Sequence, residues 1–506
     1  MNLLNKVAEY AQKNGKQVAV RLGTNMLTYS QLEEYSGKLA SWIQKTCGNN
    51  KKPVVVYGHK DVYMLVCFLA AVKSGRGYCP IDISIPENRV KDIINTAEAS
   101  MIFALEDLSI EDERFVDSTQ IKEAINQTDM VISQKHYIDV DDVFYIIFTS
   151  GSTGAPKGVQ ITAECLYNYL DWSVDLGTNK EDKFGKGFLN QAPFSFDLSV
   201  MDIYTCFATC GTLNLLAKDT QMDFKQLLPA LKESQVSTWV STPSFADMCM
   251  ADKQFSQELM PELNTFLFCG ETLTNSTALK LMDRFPKASI INTYGPTEST
   301  VAVTDIKVTR AIAEDNQPIP VGSPKPGTII EIRRPDGALA QTGESGEIVI
   351  CGNTVSIGYF HNKEQTEKAF IPYVGKDKSW RAYKTGDKGR LDEEGNLHYE
   401  GRMDLQIKLN GYRIELEDIE KNLMKNKEVS HAVVIPKIKE GKVRSLTAFV
   451  TGIRAEENNL KTSKKMKGEL KEFLPAYMIP KKIVFIDKLP MNQNGKVDRK
   501  RLGELA

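Results

Sequence analysis

Between Thr149 and Gly158 the chain reads TSGSTGAPKG, directly after the strand-like run FYIIF. Gly151, Gly154 and Gly158 permit close approach and unusual dihedrals, so successive backbone N–H groups can point into one concavity and bind phosphate. Thr149, Ser150, Ser152 and Thr153 add hydroxyls, and Lys157 adds positive charge. The pattern is not a Walker A loop, because Pro156 precedes the lysine and Gly158 follows it; the loop is predicted to stay irregular. Taken alone, it fits a flexible turn as well as a phosphate cradle. Other single residues could do chemistry if the fold gathered them. Glu298 follows a Gly-Pro turn, Asp387 follows Gly386, and Lys496 sits in QNGKVD near the C-terminus. Each has an ordinary reading as a solvated or turn residue. Asp197 differs, lying among apolar neighbours in FSFDLSVMDIY. A buried carboxylate wants a cation or hydrogen-bond donors: a helix N-cap, a lysine of the protein, or the ammonium of a substrate.

The elements that must position these residues alternate between strand-like and helical patterns, which predicts an α/β architecture. Strands are expected at PVVVYG, MIFAL, FYIIF and TLNLLA. In SQLEEYSGKLASWI, Ser30 with Glu33 reads as a capping box, and Leu32, Tyr35, Leu39 and Trp42 recur at helical spacing. The apolar run YMLVCFLAAV is ten residues long, too short to span a bilayer and suited to a buried helix. The start of the chain carries no signal-peptide pattern. Nine Cys and five His are scattered without a Cys-x-x-Cys pair, so a zinc site or disulfide framework is not expected, and a reduced, cytoplasmic setting is. Cys206 and Cys210, four apart, are expected to pack on one helix face. With 506 residues and a net charge of −2, nothing global points to nucleic acid or to an anionic membrane. Charge is nevertheless uneven. From Met403 onward there are 22 Lys+Arg against 14 Asp+Glu, whereas the first 402 residues carry 41 against 51. This predicts a small basic α+β domain, with helices in LEDIEKNLMK and MKGELKEFL and strands at HAVVIP, LTAFV and KIVFID, joined near Arg402–Asp404 to a large acidic one.

TSGSTGAPKG is similar to the signature loop of the adenylate-forming superfamily, and the resemblance does not rest on it alone. INTYGPTEST (291–300), GEIVICGNTVSIGYF (346–360), YKTGD (383–387), GRMDLQIKLNGYRIELEDIE (401–420) and NQNGKVDRK (492–500) follow in that family's order and spacing. The resemblance covers essentially the whole chain. It implies a large N-terminal ATP- and substrate-binding domain (1–402), built of α/β layered subdomains plus a distorted β-barrel. A small mobile α+β C-terminal domain (403–506) would follow, with a hinge near Asp404. It implies a reaction in two halves: a carboxylate displaces pyrophosphate from ATP to give an acyl-adenylate, and a thiol then takes the acyl group.

Residue by residue, the resemblance places Thr149, Ser152, Thr153 and Lys157 on the β- and γ-phosphates. Asn292, Thr293, Tyr294, Gly295, Pro296 and Thr297 fall to ATP, with Asn292 on the adenine edge and Tyr294 on its face. Glu298 and Thr153 fall to Mg²⁺, a hard cation suited to oxygen ligands. Asp387 accepts from the ribose hydroxyls, and Tyr399 and Arg402 close over ribose and α-phosphate. Lys496 is the implied catalytic residue, touching ATP and substrate carboxylate together. Gly411, in LNGYR, faces the path of the thiol. Asp197 matches the F-D-x-S pattern of amino-acid-activating members, where the carboxylate meets the substrate ammonium. FSFDLSVMDIY, TFLFCGETL and TVAVTDI narrow the resemblance to the branch that activates D-alanine for a carrier protein in teichoic acid D-alanylation, with Cys269 and Val301 lining the pocket.

The expected partners are therefore D-alanine, ATP, Mg²⁺ and a separate acidic carrier protein bearing phosphopantetheine. No carrier module follows Lys496, and neither nucleic acid nor membrane insertion is expected. The chain is expected to act as a monomer. Three alternatives stand beside this reading: an adenylating enzyme for another small amino acid that feeds a peptide-synthesis carrier, a non-catalytic ATP- or AMP-binding regulator, and a phosphate-releasing NTPase. Arg76 and Cys79, in SGRGYCPIDISIP, stand where smaller or plain aliphatic residues are expected.

Overall fold

The computed structural model describes residues 1–151, 156–177, 183–374, 379–439, 442–453, 459–491 and 497–506. The chain forms two compact units: residues 1–82, 97–147 and 158–403 in one, and 83–96, 148–157 and 404–506 in the other.

The first unit is built on three sheets. Valine and aromatic runs such as VVVY (Val54–Tyr57), TWVS (Thr238–Ser241) and TFLF (Thr265–Phe268) are buried at every position, as expected of parallel strands covered on both faces. In one sheet of nine strands, Ser289–Tyr294, Thr265–Phe268, Thr238–Ser241, Gly187–Asn190, Thr212–Leu215 and Val18–Leu22 run parallel, and antiparallel strands close both edges. A six-stranded sheet holds Val54–Tyr57 and Tyr78–Ile81 at its centre and Val143–Thr149 towards one side. The third sheet is antiparallel, with Ser379–Leu391 pairing Gly346–Gly352, Phe370–Val374 and Leu397–Arg402. The apolar run forms helix Val62–Lys73, with eleven of its twelve residues buried. No helix among the described residues is long and apolar enough to cross a membrane.

Two local expectations are corrected. The helix predicted to start at Ser30 is Tyr29–Cys47. Its N-cap is Thr28, and the reciprocal partner is Gln31 rather than Glu33. Threonine and glutamine satisfy the same two backbone donors as serine and glutamate, so the sequence holds two overlapping boxes, and burial of Tyr29 and Leu32 selects the earlier one. Glu33 instead pairs with the buried Lys73 amine at 2.8 Å. The second correction concerns Cys210. Helix Leu198–Ala208 ends before it, and Cys210 has φ +54°. Only Cys206 lies on the helix, so the two thiols do not share a helix face. The unexpected Arg76 is buried because it closes helix ends. It donates to Ser74 O at 2.5 Å and to Gly48 O at 2.6 Å, satisfying carbonyls at two C-termini.

In the second unit a hairpin pairs Gln406–Leu409 with Tyr412–Glu415. Its turn is Asn410-Gly411, with φ +51° and +84°, the Asn-Gly preference of a type I′ turn. Helix Leu416–Leu423 follows, then a sheet of His431–Lys439, Lys442–Thr451 and Lys482–Phe485. The helix expected around Met466 is Asn459–Leu470, and Phe473 and Leu474 lie beyond its end. Segment 148–157 joins this unit, where Ser150 Oγ donates to Arg413 O at 2.9 Å.

Candidate active site

Strand Ser289–Tyr294 and the turn after it carry the GPTE motif. The turn is tight for a stated reason: a Cβ on Gly295 would lie 2.5 Å from Ala302 Cα and 2.7 Å from Val301 O, so no side chain fits there. Thr300 and Val301 then both occupy the left-handed region, at φ +63° and +68°. Two successive β-branched residues in that conformation are strained, and this strain was not legible in the sequence. It points the Val301 carbonyl at Cys269, whose Sγ lies 3.6 Å away as donor. Both residues are buried.

Around this turn the first unit gathers a polar cluster. Tyr294 donates its hydroxyl to Asp387 Oδ2 at 2.6 Å, and Arg402 Nη1 donates to Asp387 Oδ1 at 2.9 Å. Arg402 also donates to Thr385 O, and Thr385 Oγ1 accepts from the Asp387 amide. Tyr399 lies against Tyr294 with ring centroids 5.8 Å apart. Burial, then the Asp387 carboxylate, raises the Tyr294 phenol well above its ordinary 10.0, so it stays a neutral donor. Asn292 donates to Pro320 O at 2.9 Å and Thr293 to Phe268 O at 2.9 Å, bonds that lock the strand. Glu298 is fully buried and accepts from Tyr359 OH at 2.9 Å. Among the described residues no group of three or more His, Cys, Asp or Glu could hold a metal. That is compatible with Mg²⁺, which needs only one or two carboxylates when phosphates and water supply the rest.

Asp197 takes the N-cap position of helix Leu198–Ala208, yet its side chain makes no capping hydrogen bond and is buried. The plainest structural role open to it is therefore not the one it plays. Its carboxylate acts electrostatically on the phenols of Tyr145 and Tyr169, and Cys269 acts on Tyr169 as well.

Sequence reasoning missed what holds the Asp197 segment. Lys60 is buried, at φ +45°, and donates to Asn190 Oδ1 and to Ala192 O. Asn190 Nδ2 in turn donates to Asp202 Oδ1 at 2.7 Å, and the Lys60 amine lies 4.8 Å from the centre of the Phe194 ring. Burial lowers the Lys60 pKa to about 7, against the opposing pull of Asp202 and Asp82. A lone lysine in GHKD carries no sequence signal for such a role.

Of the residues singled out in the sequence, Asp197, Cys269, Asn292–Thr297, Glu298, Val301, Asp387, Tyr399 and Arg402 all belong to the first unit. Thr149, Lys157, Asp404 and Gly411 belong to the second. Ser152, Thr153 and Lys496 lie outside the described residues.

The profile of AMP-binding enzymes matches residues 7–360, and that of the AMP-binding enzyme C-terminal domain matches 418–496. A curated D-alanine–D-alanyl carrier protein ligase of Bacillus cytotoxicus is 45% identical over 507 residues, covering 99% of both chains. The ligase of the same name in Bacillus cereus is 44% identical over the same span. In the fold, the chain resembles a Vibrio cholerae adenylation domain solved with glycyl-adenosine-5'-phosphate (TM-score 0.81, 21% identity, 99% and 97% covered). It also resembles an o-succinylbenzoate CoA synthetase of Bacillus subtilis (TM-score 0.84, 19% identity, 99% and 98% covered).

Proposed function

The chain belongs to the AMP-binding enzyme family, and from that premise we propose that it activates D-alanine with ATP and passes it to a separate D-alanyl carrier protein. In the first half-reaction a carboxylate oxygen of D-alanine attacks the α-phosphorus of ATP. The bond to the bridging oxygen breaks, and pyrophosphate leaves with the electron pair. In the second, the carrier's phosphopantetheine thiol attacks the acyl carbon of D-alanyl-adenylate and expels AMP, giving the thioester used in teichoic acid D-alanylation.

The observation that carries the substrate reading is Asp197, a buried carboxylate at a helix N-terminus that does not cap its helix. It takes the ammonium; a charge pair at 4 Å contributes up to about 4 kcal/mol at an effective dielectric near 20, before desolvation. Cys269 and the strained Val301 line the side-chain position, where a tight wall excludes larger residues by steric conflict. On the nucleotide side, Asp387 accepts the ribose hydroxyls, with Arg402 and Tyr399 beside it, and Tyr294 and Asn292 flank adenine. Thr149, Ser152, Thr153 and Lys157 hold the β- and γ-phosphates. Glu298, with Thr153, would hold Mg²⁺, which offsets phosphate charge when bound. Lys496 bridges the substrate carboxylate and α-phosphate, stabilising charge as it develops. Asp404 is the proposed hinge and Gly411 lies on the thiol path. The net positive charge after residue 402 suits an acidic carrier.

ATP–pyrophosphate exchange over a panel of amino acids tests the reading. D-alanine is expected to drive exchange best, with L-alanine and glycine behind it. Exchange driven by another amino acid would sink the substrate, and release of inorganic phosphate without exchange would sink the reaction.

A further inference from the structure

Among the described residues, several core tyrosine hydroxyls have clear partners. Tyr10 OH donates to Ala208 O at 3.0 Å, Tyr29 OH to Gly211 O at 2.9 Å and Tyr204 OH to Tyr78 OH at 2.6 Å. Tyr294 and Tyr359 bond Asp387 and Glu298. Tyr145, on strand Val143–Thr149, and Tyr169, on helix Ala163–Ser173, are equally buried, with no exposed surface. Yet among the described residues neither hydroxyl has a hydrogen-bond partner. A buried hydroxyl left without any partner costs about 1–3 kcal/mol, native folds keep few of them, and its oxygen keeps acceptor capacity free. These two are not scattered. The Asp197 carboxylate acts on both, Cys269 acts on Tyr169, and Tyr169 acts on Tyr145. Burial first, and these neighbours after it, raise both phenols well above their ordinary 10.0. Each is therefore a neutral O–H that can donate and accept throughout the working pH range.

We propose that Tyr145 and Tyr169 complete the amino-acid site, their phenol oxygens accepting, directly or through one water, the ammonium hydrogens that Asp197 does not take. An ammonium group carries three N–H donors, and one carboxylate on one side of it leaves at least one to be met elsewhere. The helix geometry supports this arrangement. Ser173 Oγ and Thr205 Oγ1 bond at 2.8 Å, fixing helix Ala163–Ser173 against helix Leu198–Ala208, whose first turn begins at Asp197. The inference rests on the amino-acid reading above. It has one structural rival. Asp202 Oδ2 is also buried without a partner, and Asp202 also acts on Tyr169, so a water shared by these two groups would satisfy the phenol without any substrate.

The test compares wild type with Tyr169→Phe, Tyr145→Phe and the double variant, reading KM for D-alanine, KM for ATP, kcat of exchange and the melting temperature. Loss of a hydrogen bond to a charged group predicts a KM for D-alanine raised roughly tenfold in Tyr169→Phe, with a smaller rise in Tyr145→Phe and the largest in the double variant. KM for ATP and kcat stay within about twofold, and the melting temperature holds or rises, because the lost hydroxyl had no partner in the free protein. An unchanged KM for D-alanine in all three variants overturns the proposal. So does a lowered melting temperature with KM unchanged, the signature of the Asp202 alternative, and so does an equal rise in both KM values. Wild-type exchange driven by another amino acid would sink the D-alanine reading alone, since the same KM split measured on that acid still upholds the two tyrosines. Exchange with no amino acid at all overturns both.

Discussion

The two polar clusters of the first unit, proposed to face the nucleotide and the amino acid, are built on opposite principles. Around Asp387, each polar group already has a protein partner: Tyr294 and Arg402 share the carboxylate, and Glu298 holds the Tyr359 hydroxyl. Around Asp197, two phenols lie buried and unmet among the described residues, and the carboxylate makes no capping hydrogen bond to its own helix. The first cluster keeps its shape without help, and a ribose joins a network that already exists. In the proposed site the second stores an unfavourable desolvation that the right ammonium relieves on the acceptor side of the phenols. A site that is costly until filled rejects ligands that cannot meet its groups, since each unmet group keeps its penalty. In this reading the polar demand of the amino-acid side selects for an ammonium, which both alanine enantiomers carry, and the choice between them falls to the steric wall at Cys269 and Val301.

Asp387→Ala is the largest break in that comparison. It removes the acceptor shared by Tyr294 and Arg402, so both the fold and nucleotide binding suffer. Stability is expected to fall by about 3 kcal/mol, as when one partner of a buried ion pair is removed. KM for ATP should rise about a hundredfold, the loss of two hydrogen bonds to a charged group. Chemical denaturation and exchange kinetics read the two effects. An intact KM for ATP would remove Asp387 from the ribose site. Asp197→Ala should invert the balance: KM for D-alanine rises about thirtyfold or more, the cost of truncating one partner of a desolvated charge pair. Stability falls by less than in Asp387→Ala, because no helix cap is lost. Equal loss of stability in the two variants would erase the distinction between the clusters.

The contrast also explains how far the sequence could be read. Strands such as VVVY were legible because buried strands are written as unbroken β-branched and aromatic runs, whereas TWVS, of the same kind, was not read. The hairpin at Asn410-Gly411 was not read from the sequence, although an Asn-Gly pair is a strong short-range hairpin signal. Asp197, Asp387 and Glu298 stood out because ordered motifs surround them. Lys60, Tyr145 and Tyr169 did not, since a lysine in GHKD and tyrosines in apolar runs differ from ordinary residues only by which atoms the folded chain leaves beside them. The strain at Thr300 and Val301 escaped for the same reason: it comes from tertiary constraint acting against local preference. The capping box at Thr28 was a smaller failure, decided by burial among equivalent caps.

The smallest predicted effect concerns what backs the amino-acid side. Lys60 ties Asn190 and Ala192, seven and five residues before Asp197, and burial lowers its pKa from 10.5 to about 7. The unfolded chain therefore binds this proton more tightly than the folded one. Between pH 7 and about 10 the unfolded state carries more protons, so the contribution of Lys60 to stability rises with pH in that window and is constant below it. A fully resolved group gives a slope of about 1.4 kcal/mol per pH unit, and coupling to Asp202 reduces it to something on the order of 1. Buried cysteines and tyrosines titrate in the same range, so the quantity to measure is a difference: wild-type stability minus that of Lys60→Met, by denaturant unfolding at pH 7, 8 and 9. The difference should grow in favour of wild type as pH rises. A flat difference would mean that the lysine keeps its proton inside the fold, and that the amino-acid side is backed by a buried charge.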